Sequence, residues 1–122
     1  MAHHVQNLAA CIALDTVNNT PIVPHDFTPP AGTNMIVRAT AAALGLTTGD
    51  VAGWVVMANF TSSALGVVTR AFVPINVYRQ RNDPTWDCTL ITDGTAVQVQ
   101  ITGDSGETVE WAVKCEGLLN EP

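Results

Sequence analysis

The feature that most constrains this chain is a two-residue alternation in its C-terminal third. Val97, Val99 and Ile101 alternate with Gln98, Gln100 and Thr102, and Val109, Trp111, Val113 and Cys115 alternate with Glu110, Ala112, Lys114 and Glu116. Successive side chains of a β-strand point to opposite faces, so each segment buries one face and wets the other. A half-buried strand needs a second apolar layer, which directs the chain to an all-β fold. Trp86, Cys88 and Leu90 form a third such row opposite Asp87 and Thr89. Asp93-Gly94 after this row is a hairpin signal, because a type I′ turn requires positive φ at both central residues. Gly103-Asp104-Ser105-Gly106 turns the chain again, and its two glycines can take positive φ. From Trp86 onward the chain therefore reads as a three-strand antiparallel meander whose inward row is Val97, Val99, Ile101, Val109, Trp111 and Val113.

Upstream, Met35 to Ala39, Ala52 to Phe60, Leu65 to Phe72 and Ile75 to Arg79 are further strand candidates, separated by Gly, Asn, Ser or Pro. Ala39 to Leu46 is alanine-rich, yet Thr40 and Gly45 weaken a helix there, so the segment reads as strand plus loop. This spacing of short strands predicts an antiparallel β-sandwich, jelly-roll-like, over residues 33–122. Residues 1–32 differ. Val5 to Leu14 has strand composition, but Asn18-Asn19-Thr20-Pro21 and the prolines at 24, 29 and 30 impose turns and extended backbone. The segment is expected to be an extended Pro-rich N-terminal arm that docks on a neighbouring subunit. Val5, Leu8, Ile12 and Leu14 would be its first anchors, with Ile22, Val23 and Phe27 its second set.

Composition bears on partners. The chain is 47% hydrophobic but only 13% charged, about half the usual charged fraction. A surface so poor in charge suits burial against other copies of the chain, a trimer among them. The net charge of −6, with no Lys/Arg cluster, gives no electrostatic footprint for nucleic acid or an anionic membrane surface. Apolar stretches fall short of the roughly 18 residues that span a bilayer, and Met1-Ala2-His3-His4 opens no export signal. Cys11, Cys88 and Cys115 are odd in number and widely spaced, which predicts buried free thiols and not a disulfide framework or zinc site. Cys88 and Cys115 lie on the apolar sides of two strands expected to be neighbours.

Catalysis needs a titratable constellation, and this sequence offers little to build one. His3, His4 and His25 sit in the Pro-rich quarter, and with Asp26 they lack the tight spacing of a metal site on one element. Ser62, Ser63 and Ser105 lie in no nucleophile elbow. The acidic pairs Asp83 with Asp87 and Glu107 with Glu110 read as solvated strand-face or turn residues. Gly-rich phosphate loops are absent from the sequence. The expectation is a non-enzyme with no catalytic residue, cofactor or metal. Trp54, Trp86 and Trp111 each lie among alternating aliphatics, which favours the core over a sugar-stacking face.

The segments Trp86-Asp87-Cys88-Thr89-Leu90, Asp93-Gly94 with Val97 to Gly103, and Gly106 to Val113 together resemble a β domain of tailed-bacteriophage virion proteins, often at the end of tail fibres. The resemblance rests on a strand led by Trp86, the Asp93-Gly94 turn, a strand ending Ile101-Thr102-Gly103, the Gly106 turn, and a closing strand with Val109-Glu110-Trp111. It extends loosely upstream to Val51 and covers residues 50 to 116. It implies a structural or attachment role in the virion, with synthesis in the host cytoplasm, and carries over no catalytic residue. A chain of one domain plus an arm, starting at its own Met, fits a capsid-decorating (cement) subunit that binds the major capsid protein and its own copies. The alternatives are a tail-fibre or tail-tip subunit that contacts the host surface, and a carbohydrate-binding module.

Overall fold

The alternating rows fold into two antiparallel sheets that face one another across one apolar layer. The structure is a computed structural model that describes residues 4–121, with side chains from 10 to 119. Within it run β1 (His4–Thr16), β2 (Ile22–Phe27), β3 (Asn34–Gly45), β4 (Val51–Ser62), β5 (Val68–Arg70), β6 (Ile75–Arg81), β7 (Asp87–Thr92), β8 (Val97–Thr102) and β9 (Val109–Glu121). The larger sheet has the order β1-β9-β3-β4, with β5 and then β6 sharing the far edge of β4. The smaller sheet has the order β2-β8-β7. The expected all-β sandwich is the observed architecture.

The core is built from the inward rows. β3 contributes Met35, Val37, Ala39, Ala41 and Ala43; β4 contributes Trp54, Val56, Ala58 and Phe60; and β9 contributes Val109, Trp111, Val113, Cys115 and Leu119. Cys88 and Leu90 of β7 and Val97, Val99 and Ile101 of β8 close the layer from the other sheet. All six residues expected to face inward do so. The alanine-rich run is continuous strand through Gly45, without the expected loop, because β3 has hydrogen-bonded partners on both sides. Its small side chains also have a packing role. Ala41 is opposite Trp54 on β4, Ala43 is opposite Trp111 on β9, and the two indoles stack with centroids 5.3 Å apart and planes 21° apart. Flanking strands can place two such rings in contact only if the strand between them carries little side chain.

Three expectations are corrected by the topology. First, the C-terminal part is not a meander: β7 and β8 form a hairpin in the small sheet, but β9 crosses to the large one and lies between β1 and β3. Trp86, at the start of the small sheet, and Trp111, on the large one, are thus buried on opposing sheets and do not share one. Second, of Leu65 to Phe72 only Val68–Arg70 is strand. Third, the segment expected as an arm is paired to its own domain. β1 runs the length of β9, from His4 opposite Glu121 to Thr16 opposite Val109, and β2 joins β8. Leu14, Ile22 and Phe27 pack on the chain's own core, and Thr16 is buried. Ile12 is half-buried and Val23 exposed. Val5 and Leu8 are placed in β1 by their backbone, while their side chains lie outside the described residues.

Candidate functional site

The carboxylates come first, since they carry most of the chain's reactive chemistry. Glu107 is buried, contrary to the solvated reading, and is fully occupied. Thr47 N and Thr48 N each donate to its Oε2 at 3.0 Å, and Thr48 Oγ1 donates to Oε1 at 2.9 Å. The bonds from Thr48 hold the carboxyl below the usual glutamate range. Gly45 is part of the same device, because a Cβ there would lie 2.7 Å from Glu107 Oε1. Glu107 thus fastens the β3–β4 turn to the loop before β9. Asp83 caps its own turn by accepting from Thr85 N and Oγ1, and these bonds lower its pKa. Asp104 Oδ2 accepts from Trp86 Nε1 at 3.3 Å, and its Oδ1 accepts from Gly106 N. Glu107, Asp83 and Asp104 are thus committed to loop structure.

The turn residues also act differently from expectation. β7 and β8 are joined by residues 93–96, and among the four only Gly94 has positive φ, at 94°. A type I′ turn is therefore excluded. Asp93 Oδ1 instead accepts from Thr95 N and Ala96 N, which keeps its carboxyl ionised to lower pH than usual. Gly103 and Gly106 have no positive φ. Gly103 is needed for space, since a Cβ there would collide with Thr16 Oγ1 and lie 2.9 Å from Thr16 Cβ. That contact is next to the bond from Trp111 Nε1 to Thr16 Oγ1, 3.0 Å long and buried. The motif residues Trp86, Asp93, Gly94, Gly103, Gly106 and Trp111 are thus distributed over the core and its loops and do not converge on a site.

Thiols and tryptophans resolve similarly. Cys88 and Cys115 are buried free thiols on opposite sheets; burial pushes Cys88 up to about 12 and Cys115 up to about 11, so both stay protonated. Cys11 is free but exposed on β1. Trp54, Trp86 and Trp111 are all buried, so none presents a flat face to a sugar. No group of three metal-ligating side chains occurs among the described residues.

What remains is surface. The outward face of the large sheet carries Asp15, Arg38, Glu110, Lys114 and Glu116, and between them one uncharged row across it reads Ala13, Ala112, Ala42, Gly53. Two shallow depressions of about 360 and 350 Å³ lie on this face, one under Tyr78, Gln80 and Arg81, the other around Ala42, Ala112 and Glu110. In the first, the Tyr78 ring lies over Gly53, where a Cβ would be 3.3 Å from Tyr78 Cε1. A glycine in a strand is thus covered by an aromatic from its neighbour. The far edge of β4 is bordered by residues 67–81, of which Val68 is buried in the core while Phe72, Val73, Ile75, Val77 and Tyr78 are exposed. Sequence reasoning placed none of these residues in a site, although it read Ile75 to Arg79 as strand, and β6 runs from Ile75 to Arg81.

No family model and no curated protein sequence matches this chain. Two solved structures align with this chain. The tailspike protein of Acinetobacter baumannii phage AM24 aligns over 94% of this chain and 26% of its own, with TM-score 0.56 and 10% identity. The tailspike protein gp49 of Acinetobacter baumannii bacteriophage Fri1, described as a capsular polysaccharide depolymerase, aligns over 95% of this chain and 17% of its own, with TM-score 0.45 and 16% identity. The chain therefore spans about a quarter or less of either structure's length. The AM24 likeness is one of fold.

Proposed function

We propose that this chain is a structural domain of a bacteriophage tail, belonging to a spike or fibre. The observation that carries this reading is the alignment of nearly the whole sandwich onto one portion of a tailspike. The resemblance of Trp86 to Val113 to tail-fibre end domains points the same way, and so does a low-charge surface suited to assembly. Capsid decoration, the first expectation from the sequence, draws no support from the AM24 alignment. A carbohydrate-binding module in the form weighed from the sequence needs an exposed tryptophan, and the described tryptophans are all buried. The role assigned is architectural, in keeping with the structural role that the resemblance of Trp86 to Val113 implies. Antibodies against this chain, imaged on whole particles, test it. Label at the tail is expected. Label over the head would restore the decoration role, and unlabelled particles would remove the chain from the virion.

A further inference from the structure

The strand β7 has the composition of an edge that invites pairing, and its protection comes from elsewhere in the chain. It is an outer strand of the small sheet, and its sequence Asp87-Cys88-Thr89-Leu90-Ile91-Thr92 holds no proline, lysine or arginine. Its one charge, Asp87, stands at its first position, and its register with β8 runs without a bulge. Edge strands are ordinarily blunted by such devices, because their outer row of backbone N–H and C=O groups is a template for a strand of another chain. In β7 that row is met by the large sheet instead. Arg81 Nη1 of β6 donates to Trp86 O at 2.6 Å, Arg70 Nη1 of β5 donates to Leu90 O at 3.0 Å, and Val68 N donates to Gly94 O at 2.9 Å.

Residues 86 and 90 have the same parity, and carbonyls of one parity point to one edge of a strand. With Gly94 in the following turn they make a seam between β7 and the β5–β6 edge. Packed sheets stand about 10 Å apart, too far for one backbone to bond the other except where a loop closes the gap, as Gly94 does for Val68. Along the strand itself the span needs a long side chain that ends in rigid donors, and arginine is that side chain. Asp87 Oδ1, 3.8 Å from Arg81 Nη1, adds a charge contact at the Trp86 end. We propose that Arg70 and Arg81 are a latch on the β7 edge: they tie the small sheet to the large one and occupy the carbonyls to which a strand of a second chain would bond. With the latch open, a β-prone and nearly uncharged edge is free to accept that strand.

Hydrogen exchange read by mass spectrometry, with sedimentation of the same samples, tests the latch on the 122-residue chain. Arg70→Ala should speed exchange roughly tenfold near Leu90, and Arg81→Ala should do so near Trp86, each ahead of the rest of the two sheets. The double variant should in addition sediment above the wild-type mass and bind thioflavin T, a probe of stacked strands. Arg79→Ala removes the same charge from an exposed position on β6 and should change neither quantity. Circular dichroism establishes which variants are folded, and the single variants suffice if the double one is not. Exchange that rises evenly over both sheets would make the arginines general stabilisers and overturn the proposal. Wild-type exchange across residues 86–92 in the folded single variants would overturn it too, as would a folded double variant that keeps the wild-type mass. Association matched by Arg79→Ala would assign the effect to charge and not to the latch, with the same consequence.

Discussion

Replacing Thr16 by Val tests whether the N-terminal segment belongs to the core. Thr16 Oγ1 accepts the buried indole N–H of Trp111 at 3.0 Å, and both residues are almost wholly buried. Valine matches threonine in shape, so no cavity forms, but the indole donor is left without a partner. Such a group costs about 1–3 kcal/mol. For a chain of this size each kcal/mol lowers Tm by about 4 °C, so a fall of about 4–12 °C is expected. Thr16→Ser keeps the acceptor and should lose less. Trp54 provides the contrast, since its Nε1 is buried and has no partner. Trp54→Phe removes that penalty along with part of the ring, so it should be less destabilising than Trp111→Phe, which strands the Thr16 hydroxyl. Urea unfolding followed by circular dichroism measures each. A Thr16→Val protein within about 0.3 kcal/mol of wild type would refute the reasoning and return residues 1–32 to the status of an arm.

Other expectations follow from the same geometry. Gly103→Ala should cost about 1–3 kcal/mol, because its Cβ meets Thr16 and the Asn18 carbonyl is 3.2 Å away, whereas Gly106→Ala, with nothing nearer than 3.8 Å, should fall within about 0.5 kcal/mol of wild type by denaturant titration. A thiol reagent at pH 8 should modify Cys11 rapidly and reach Cys88 and Cys115 only after unfolding, since burial holds both in the protonated form. The Glu107 carboxyl is held below its ordinary 4.5, so its contribution is complete above about that pH and is lost as pH falls through the lower folded value. Glu107→Gln should lower stability at pH 7 and flatten the acid side of the stability–pH curve, because the pH-dependent contribution goes with the carboxylate.

What the sequence revealed was what is local. The rows Val97 to Ile101 and Val109 to Cys115 announce their inward faces because period two is written into adjacent residues. Which sheet each strand joins is not written there, and so β9 was placed next to β8 when its partners are β1 and β3, one of them about a hundred residues away in the chain. The same distance concealed the N-terminal strands. Asn18 to Pro21 marks a break that serves equally for an arm and for a crossover between sheets, and only the pairing with β8 and β9 distinguishes them. Alanine in β3 reads as weak helix until the stacked Trp54 and Trp111 explain the need for small side chains. Glu107 read as solvated because its donors, Thr47 and Thr48, are some sixty residues upstream. The β5–β6 edge was missed because exposed apolar side chains look, in sequence, like a buried strand.

The tail assignment is tested most directly by separating heads from tails of purified particles on a density gradient and measuring the copies of this chain in each fraction by quantitative mass spectrometry. The account predicts a fixed, low copy number that travels with the tail proteins. Recovery with the heads, in proportion to the major capsid protein, would contradict it.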